Sequence, residues 1–440
     1  MKALIIAAGK GTRLRMLAKD RPKPLVRLLG LSLIERVILT ARESGINEFV
    51  IVIGYLGDKI KEKLGDGRDY KVKIEYVENE EWERGNGVSV LKAKKHFKEN
   101  FVLLMADHIF DASILKRLKK IDLNENECIL VVDKSPQEYI DLGDATKVKT
   151  KDGYIQDIGK KIKDYNCIDC GIFFLSPSVF KALEESIEHG DETLSGGIRV
   201  LARKGKMKSF DVNDNFWIDI DTVSSYKAAE KILCKRLLKK TDGPVSRYLN
   251  RPLSIRISKI LVRFNIKPNL ISLISFGISF LAFLLFCLGD YLYVATGGIL
   301  SQISSIVDGC DGEVARLKFQ GSKYGAWFDA VLDRYADALI ILGMVYGWWS
   351  IHSEVCIWIV GFFAMMGSFM NSYTAIKYDE VLLRKRENVR VGKDLRLFLI
   401  MVGALLGQIY YTLFVLGVLT NFVSLRRIFL LKKYKEVLNE

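Results

Sequence analysis

The chain has 440 residues, of which 49% are hydrophobic and 27% charged, and 66 Lys and Arg against 52 Asp and Glu give it a net charge of +14. A single hydrophobic core rarely grows beyond about 250 to 300 residues, so the length predicts at least two domains. The apolar content excludes a disordered chain, and a mean hydropathy of +0.13 argues against a purely water-soluble protein. Neither half is basic enough to require nucleic acid, so no nucleic acid partner is expected.

The first half of the chain alternates apolar runs with charged stretches of helix length. The apolar runs lie at residues 2–8, 49–53, 72–77, 101–105 and 129–132. Such alternation predicts an α/β domain with a mostly parallel central sheet, Rossmann-like in architecture. Because the alternation fades after about Tyr226, we expect a soluble domain at residues 1–230.

A charged segment separates this domain from the apolar second half. It contains Thr-Asp-Gly-Pro at 241–244, which we interpret as a linker, and a basic amphipathic stretch at 252–264 with Arg256, Lys259 and Arg263. A basic amphipathic helix directly before a hydrophobic span more often lies on the bilayer surface, although a solvated surface helix remains the alternative. Residues 231–269 are thus predicted to form a linker and a juxtamembrane helix.

The second half contains apolar stretches near the length of about 20 residues that a helix needs to span a bilayer. They lie at 270–288, 292–307, 326–349, 355–375 and 395–425. The last stretch is too long for one helix of normal tilt, and Gly407-Gln408 near its middle predicts a tight reversal. We therefore predict an all-α domain of six transmembrane helices at 270–427, followed by a tail at 428–440.

Basic residues fall on one side of these predicted spans. The turns around Asp290, 350–354 and Gln408 contain no Lys or Arg, whereas the intervening loops are basic. Because basic loops stay in the cytoplasm, the pattern predicts a multi-pass protein of the cell membrane with its N-terminal domain and C-terminus cytoplasmic and the lipid bilayer as a partner. The basic loops and tail contain Arg316, Lys318, Lys323, Lys377, Arg384, Lys385, Arg386, Arg390, Lys393, Arg426, Arg427, Lys432 and Lys433.

Four carboxylates recur at helical spacing in the membrane half. Asp308 and Asp311 lie near the end of the second span, and Asp329 and Asp333 lie on the third. Their spacings of three and four residues project each pair from one face of its helix. Carboxylates are costly inside a membrane helix, and four of them converging repel one another unless cations share them. A pair of Mg²⁺ ions is expected, with Mn²⁺ as the alternative.

This string, Asp-x2-Asp-Gly-x2-Ala-Arg-x8-Gly-x3-Asp-x3-Asp, resembles the signature of the CDP-alcohol phosphotransferase family of six-span membrane enzymes, and the resemblance covers roughly residues 250–427. It implies that Asp308, Asp311 and Asp329 hold metal and a CDP-linked donor. Asp333 would be a further metal ligand and the general base on the acceptor hydroxyl. The resemblance also implies nucleotide contacts for Gly312, Ala315, Arg316 and Gly325. Asp337 lies outside the signature and is expected to support the site or the fold.

A glycine-rich loop follows the first apolar run of the soluble half. Its sequence is Gly9-Lys10-Gly11-Thr12-Arg13, and Pro22-Lys23-Pro24 follows. Glycines at a strand-to-helix turn let backbone N–H groups face phosphate oxygens because no Cβ intervenes. The loop therefore predicts a phosphate-binding site. A Rossmann dinucleotide fingerprint is disfavoured because the third glycine of that motif is absent at the required spacing.

These two motifs resemble the signature of the nucleotide-sugar pyrophosphorylase-type nucleotidyltransferases, and the similarity covers roughly residues 1–230. The resemblance implies catalytic roles for Arg13 and Lys23 on the phosphates. Lys160 and Asp169 resemble substrate contacts less specifically, and His108 is expected to be a turn residue. The remaining implied positions are nucleotide contacts at Gly9, Gly11 and Thr12, metal ligands at Asp107 and Asp219, and a base-binding segment with Gly85, Asn86 and Ser89.

The order of the two domains resembles the fused inositol-1-phosphate cytidylyltransferases and di-inositol phosphate phosphate synthases of hyperthermophiles. That resemblance implies that CTP and a polyol phosphate such as inositol 1-phosphate give a CDP-linked alcohol and pyrophosphate. The phospho-inositol group then passes to a second inositol 1-phosphate with release of CMP, which yields a compatible-solute precursor. A homodimer through the membrane domain is also expected.

Two alternatives remain at this point. One is a phospholipid synthase that uses a CDP-lipid donor and an inositol phosphate acceptor. The other, of a different class, is a membrane protein whose soluble half is a degenerate nucleotide sensor. The intact glycine loop, Lys23, Asp107 and Asp219 argue against the sensor.

Overall fold

The computed structural model describes residues 1–14, 20–239, 241–381 and 391–433. The chain divides into two compact units, Met1–Ile232 and Leu233–Glu440. The first unit buries apolar side chains in two clusters, and the second unit has a core of its own. Each unit therefore buries enough apolar surface to be considered as a separate folded body.

The first unit is built around a large sheet. Its strands are β1 (Lys2–Ala7), β2 (Arg27–Leu28), β3 (Leu31–Ser32), β4 (Glu48–Ile53), β5 (Lys73–Glu78), β6 (Phe101–Met105), β7 (His108–Phe110), β8 (Cys128–Asp133), β9 (Lys147–Lys151), β10 (Tyr154–Gly159), β11 (Cys167–Leu175), β12 (Met207–Asp211) and β13 (Trp217–Asp219). Nine of these described strands form one sheet in the order β5-β4-β1-β6-β11-β8-β12-β10-β9. Strands β7 and β13 form a separate ribbon, as do β2 and β3.

The large sheet is mixed, so the prediction of a mostly parallel sheet is wrong. Strand β1 is parallel to β4 and β6, β4 to β5, and β8 to β12. Strand β11 is antiparallel to β6, β8 and β9, and β10 is antiparallel to β9 and β12. The turn Asp152-Gly153, with φ of 52° and 81°, joins β9 to β10. A two-residue turn of this kind joins only antiparallel neighbours, and these strands lie outside the apolar runs that predicted the parallel part.

Helices accompany this sheet. They are α1 (Leu33–Glu43), α2 (Gly57–Leu64), α3 (Asn86–Lys92), α4 (Ala112–Leu118), α5 (Ser178–Glu188), α6 (Leu194–Arg203) and α7 (Val223–Lys235). The start of α1 follows directly from its sequence. The Ser32 hydroxyl accepts from the Glu35 N–H at 3.4 Å, and the Glu35 carboxylate accepts from the Ser32 N–H at 2.7 Å. This reciprocal capping box satisfies backbone donors that the first turn leaves unpaired.

The second unit is helical throughout its described residues. Its helices are α8 (Arg251–Leu261), α9 (Pro268–Leu288), α10 (Tyr291–Leu317), α11 (Lys323–His352), α12 (Cys356–Val381), α13 (Lys393–Leu405) and α14 (Ile409–Lys433). The predicted reversal is confirmed, because α13 ends at Leu405 and Gly407 adopts a φ of +66° before α14 begins. A left-handed conformation of this kind favours glycine at the end of a helix.

Three of the described helices are long and apolar enough to cross a membrane. The candidate segments are Pro268–Leu288, Cys356–Ile376 and Ile409–Leu430. Helices α10 and α11 contain the aspartates, and α13 has only 13 residues. Length and apolar composition thus support a membrane protein, and they leave the predicted number of six spans open.

Small residues let the helices around the aspartates approach closely. A Cβ on Gly347 of α11 would lie 1.9 Å from the Phe286 carbonyl oxygen of α9, so only glycine fits there. Close backbone approach through small residues is a common way for membrane helices to pack. Helix α9 packs against both α10 and α11, and α13 packs against α10. The four helices α9, α10, α11 and α13 therefore frame the region that contains the aspartates.

Candidate active sites

The first unit contains a polar cavity of about 250 Å³ next to the carboxyl end of β6. Several predicted residues line it, together with others that the sequence did not single out. In open α/β sheets, ligands bind beyond the carboxyl ends of the parallel strands, so this is the expected location for a substrate. The acidic and basic lining residues are Asp107, His108, Asp141, Asp144, Lys160, Asp169, Asp219 and Asp221.

The glycine loop after β1 contacts the side chain of Lys23. Gly11 adopts a φ of +60°, and a Cβ there would lie 2.4 Å from the Lys23 Cβ. Glycine is therefore required at this position both by the backbone conformation and by the neighbouring side chain. The side chain of Thr12 lies outside the part that the structure describes.

The Lys23 ammonium lies among three carboxylates. It contacts Asp107 and Asp221, and it is 4.0 Å from Asp219, with only 8% of the Lys23 side chain exposed. Burial alone lowers the pKa of Lys23, but attraction to the three carboxylates outweighs burial and raises that pKa above its ordinary value. The side chain therefore stays a cation, which is the state that a phosphate ligand requires.

Arg13 extends the same ionic network. Its guanidinium contacts Asp144 and lies 2.5 Å from Asp221, while the Lys160 ammonium lies 2.7 Å from the Asp144 carboxylate. The sequence did not predict Asp144 or Asp221 as site residues. The pattern Asp219-Ile-Asp221 carried the only available signal for Asp221, since alternate residues of a strand-like segment lie on one face.

Asp107, His108 and Asp219 form a group that can hold a metal ion. Each offers one ligand atom, and these atoms lie within 4.8 Å of one another. Asp219 Oδ1 is buried and accepts no hydrogen bond from a described residue. Buried polar atoms without a hydrogen bond are rare, so this oxygen fits the role of a cation ligand. The expectation that His108 is a turn residue is wrong, because His108 begins β7 and pairs with Asp219 in the ribbon.

Burial shapes the acid–base properties of this group. Burial beside Asp107 raises the pKa of Asp219 to about 7, although His108 and Lys23 act in the opposite direction. For His108, burial lowers the pKa, but Asp219 and Asp107 outweigh it and raise the pKa to about 9. Burial also raises the pKa of Asp169 to about 6. A hydrogen bond of 2.7 Å from the Gly171 N–H lowers this pKa but does not outweigh burial.

The predicted base-binding segment begins α3. A Cβ on Gly85 would lie 2.2 Å from the Glu192 carbonyl oxygen, so this glycine allows the segment to pack against the start of α6. Asn86 lines the cavity, and its side-chain oxygen accepts from the Leu194 N–H at 2.8 Å. Ser89 is instead buried and hydrogen-bonded to Asn79 at 2.9 Å. The segment thus brings Asn86 to the cavity and Ser89 into the protein interior.

The second unit brings three of the four predicted membrane aspartates together. Asp308 of α10 and Asp329 and Asp333 of α11 each offer an oxygen within 4.8 Å of the others. Asp329 Oδ1 is buried and accepts no hydrogen bond from a described residue. Asp311 lies outside this group of three, and its carboxylate accepts from the Ser272 hydroxyl of α9 at 2.5 Å. These carboxylates fit a divalent cation by donor type and by the unpartnered oxygen.

The residues predicted to make room for a nucleotide lie close by on α10 and α11. A Cβ on Gly312 would lie 3.2 Å from Arg316 Nη1, and one on Gly325 would lie 3.1 Å from the Asn269 side-chain oxygen. Ala315 is half-buried, and Arg316 is exposed with a hydrogen bond of 3.4 Å to the Leu237 carbonyl. A larger side chain at either glycine would therefore crowd groups beside the aspartates.

Helix α13 contributes two cations to the aspartate cluster. The Lys393 ammonium lies 3.0 Å from Asp308 and contacts Asp333. One turn further, Arg396 pairs with Asp337 at 2.6 Å, and both side chains are almost fully buried. The sequence analysis used Lys393 only as one of the basic residues that indicate the cytoplasmic side of the membrane. Lys393 and Arg396 are three residues apart and Asp333 and Asp337 are four apart. Either spacing places both members of a pair on one helix face, and this was the available signal. Arg384, Lys385 and Arg386 lie outside the described residues.

Two family models match the two halves of the chain. The nucleotidyl transferase model matches residues 2–236, and the CDP-alcohol phosphatidyltransferase model matches residues 265–429. The protein is therefore a transferase with two catalytic domains of different chemistry, and the prediction of an enzyme with two transferase activities is confirmed.

Relatives with the same two-domain organisation are similar along almost the whole chain. The "Bifunctional IPC transferase and DIPP synthase" of Rubrobacter xylanophilus is 36% identical, covering 98% of this chain and 96% of that protein. The protein of the same name from Aquifex aeolicus is 34% identical, covering 98% of both chains. The chain belongs to the family of bifunctional IPC transferases and DIPP synthases, as the resemblance in its motifs predicted.

The first unit also resembles a solved structure, that of the inositol-1-phosphate CTP transferase from T. maritima. The sequence identity is 31%, the TM-score is 0.46, and the similarity covers 52% of this chain and 95% of that chain.

Proposed function

We propose that the first unit converts CTP and inositol 1-phosphate to CDP-inositol and pyrophosphate, and that the second unit transfers phospho-inositol from CDP-inositol to a second inositol 1-phosphate, releasing CMP. The observation that carries this proposal is the convergence of charged side chains in each unit. Lys23 lies with Asp107 and Asp219 in the first, and Asp308 with Asp329 and Asp333 in the second. Two such sites match the two activities named for the full-length relatives.

In the first reaction, a phosphate oxygen of inositol 1-phosphate attacks the α-phosphorus of CTP. A new P–O bond forms, the bond to the bridging oxygen breaks, and pyrophosphate leaves. The loop from Gly9 to Gly11 binds the triphosphate through backbone N–H groups, and Arg13 binds it through its guanidinium. Lys23 stabilises the charge that develops on the α-phosphoryl oxygens, since a buried cation acts strongly in a water-poor site.

A divalent cation, for which we propose Mg²⁺, fits both sites. Asp107 and Asp219 would hold it in the first unit, and Asp308, Asp329 and Asp333 would hold it in the second. Asp311 would join them as a further ligand once its carboxylate releases the Ser272 hydroxyl. The unpartnered oxygens Asp219 Oδ1 and Asp329 Oδ1 support this assignment. When bound, such a cation neutralises phosphate charge and makes the phosphorus more electrophilic.

In the second reaction, a hydroxyl of the acceptor attacks the phosphorus that carries inositol in CDP-inositol. The hydroxyl proton goes to Asp333, the P–O–P bridge breaks, and CMP leaves. Lys393 contacts the Asp333 carboxylate and therefore orients it toward the acceptor. Gly312, Ala315 and Gly325 leave space for the nucleotide, and Arg316 neutralises its phosphates.

We further propose that all six helices α9 to α14 cross the bilayer, with the N-terminal unit and the C-terminus in the cytoplasm. Large apolar side chains are exposed on the long helices, including Leu273 (51%), Phe363 (54%) and Phe422 (64%). Exposed apolar side chains on several long helices support contact with lipid or with a second copy of the chain. A homodimer through the membrane unit is consistent with the same surface.

The test uses purified full-length protein in lipid nanodiscs with CTP, inositol 1-phosphate and MgCl₂, followed by ³¹P NMR. The proposal predicts signals of pyrophosphate and CDP-inositol, and then of CMP and a phosphodiester of two inositols. Supplying CDP-diacylglycerol in place of CTP tests for a phospholipid synthase, and no CMP is expected from that donor. Pyrophosphate release without later CMP release contradicts the proposed second reaction.

A further inference from the structure

Asp144 connects Arg13, which the proposed reaction assigns to the triphosphate, with Lys160, which lines the cavity and resembles a substrate contact. Its carboxylate contacts the Arg13 guanidinium, and its other oxygen lies 2.7 Å from the Lys160 ammonium. Arg13 belongs to the triphosphate-binding loop, whereas Lys160 ends the β10 hairpin and lines the cavity. One carboxylate therefore pairs with both cations at once.

The position of Asp144 in the chain lets it leave these cations without disturbing the sheet. It lies in the segment 134–146, which connects β8 to β9 and forms turns. The Ala145 N–H donates to the Asp141 carbonyl at 3.0 Å, so the segment has its own local hydrogen bonds. Asp141, Asp144 and Thr146 all line the cavity. A movement of this segment would open or close the cavity while β8 and β9 keep their partners.

Phosphate and Asp144 are chemically equivalent ligands for these cations. A phosphate oxygen that binds the N–H groups facing Asp144 takes the place of its carboxylate there, whereas the other N–H groups of Arg13 can keep their contact with Asp221. Hydrogen bonds from Lys160 and Arg13 lower the pKa of Asp144 below its ordinary value, so the carboxylate is ionised at neutral pH. In the substrate-free protein this anion thus competes with both substrates.

We propose that Asp144 couples the binding of CTP to the binding of inositol 1-phosphate. The first substrate to bind displaces Asp144 from its cation, and the segment 134–146 then releases the other cation to the second substrate. This inference rests on the proposed first reaction. Because coupling between two ligands is reciprocal, each substrate tightens the other by the same factor.

The test measures binding to the full-length protein by calorimetry with MgCl₂, using the non-reacting analogue α,β-methylene-CTP and inositol 1-phosphate, alone and together. In the wild type, each ligand is expected to tighten the other by about twofold to fivefold, as a partly exposed ion pair allows. In Asp144→Asn, each ligand alone binds tighter by a similar factor, and the coupling disappears. Asp144→Ala gives the same two results if removal of the charge is the cause.

The matched control is Asp141→Asn, which removes one negative charge from the same segment and the same cavity wall. Asp141 accepts from the Gly143 N–H at 2.9 Å, within its own turn. This variant should keep the coupling of the wild type. Thermal unfolding of each variant verifies that the first unit is folded.

Two results would overturn the inference: weaker binding of either ligand to Asp144→Asn, or unchanged coupling in that variant. Weaker binding would make Asp144 a substrate contact. Failure of the proposed function is a separate outcome, since the wild type would then release no pyrophosphate from CTP and inositol 1-phosphate. The titration with α,β-methylene-CTP still tests the inference in that case, because the analogue alone must bind Asp144→Asn more tightly than the wild type.

Discussion

The ammonium of Lys393 at the start of α13 lies 3.0 Å from the carboxylate of Asp308 on α10. The same ammonium contacts Asp333 on α11, so one cation connects three helices. Carboxylates in a membrane protein repel one another strongly unless cations lie between them. Lys393 is therefore part of the charge balance that allows the aspartates to converge.

Lys393→Met should slow the transfer of phospho-inositol by about tenfold to 100-fold, because the orientation of Asp333 and the local positive charge are both lost. Pyrophosphate release by the first unit should stay unchanged. The measurement is the rate of CMP release from supplied CDP-inositol. Lys323→Met, at the exposed start of α11, is the control for loss of a basic residue. A Lys393→Met variant with the full rate of CMP release would contradict this role.

The proposed roles of the membrane aspartates predict two kinds of variant. Asp308→Asn and Asp329→Asn should lose affinity for CDP and also turnover, since each removes a metal ligand. Asp333→Asn should lose turnover by at least about 100-fold and keep much of the affinity for CDP, since its main task is to accept the hydroxyl proton. Calorimetric titration of CDP at fixed MgCl₂ separates the two kinds. Equal loss of CDP binding in Asp333→Asn and Asp308→Asn would leave the general-base role without support.

Helix α8 should depend on a buried ion pair for its stability. Arg251 of α8 lies 2.7 Å from Glu313 of α10, and Ser254 and Ser258 donate to the same carboxylate at 2.6 and 2.8 Å. Glu313→Ala should destabilise the second unit by about 3 kcal/mol, because it leaves a buried arginine with fewer partners. Ser258→Ala should cost only about 1 kcal/mol. Thermal unfolding in detergent measures both, and equal effects would show that the charge contributes little.

The capping box of α1 predicts a pH dependence of stability. Burial alone raises the pKa of Glu35, but hydrogen bonds from Ser32 outweigh burial and lower it. A carboxyl group whose pKa is lower in the folded state stabilises the fold above its unfolded pKa of about 4.3, and this stabilisation is lost as the pH falls further. Glu35→Gln should therefore lower the unfolding temperature at pH 7 and have a smaller effect below about pH 4. An effect that is constant with pH would indicate lost packing instead.

The motifs predicted the two families better than the apolar pattern predicted the fold. Glycine loops and regularly spaced aspartates have few chemical uses, so their residues identified the two families directly. The mixed sheet could not be read in the same way, because β11 has the same continuous apolar character whether its neighbours are parallel or antiparallel. The turn at Asp152-Gly153 was the local signal for antiparallel pairing, and it lies beyond the runs that the prediction used.

The site side chains that the sequence did not single out are those whose partners lie far away in the chain. Asp144, Asp221 and Lys393 lie far in sequence from Arg13, Lys23 and Asp308, and only folding brings them together. An isolated Asp or Lys in a charged segment gives no sign of its partner. His108 was predicted to be a turn residue for a related reason, since its pairing with Asp219 across the β7-β13 ribbon arises only on folding.

We propose that one chain carries two active sites joined by a diffusible CDP-inositol intermediate. The most direct measurement mixes two full-length variants, Lys23→Ala and Asp333→Asn, with CTP, inositol 1-phosphate and MgCl₂, and follows the products by ³¹P NMR. Alone, Lys23→Ala should give no CDP-inositol, and Asp333→Asn should accumulate CDP-inositol without CMP. The mixture should form the phosphodiester of two inositols together with CMP, because the intermediate made by one variant reaches the intact membrane site of the other. A mixture that accumulates CDP-inositol but forms no phosphodiester, or an Asp333→Asn variant that makes no CDP-inositol, would rule out two active sites joined by a diffusible intermediate.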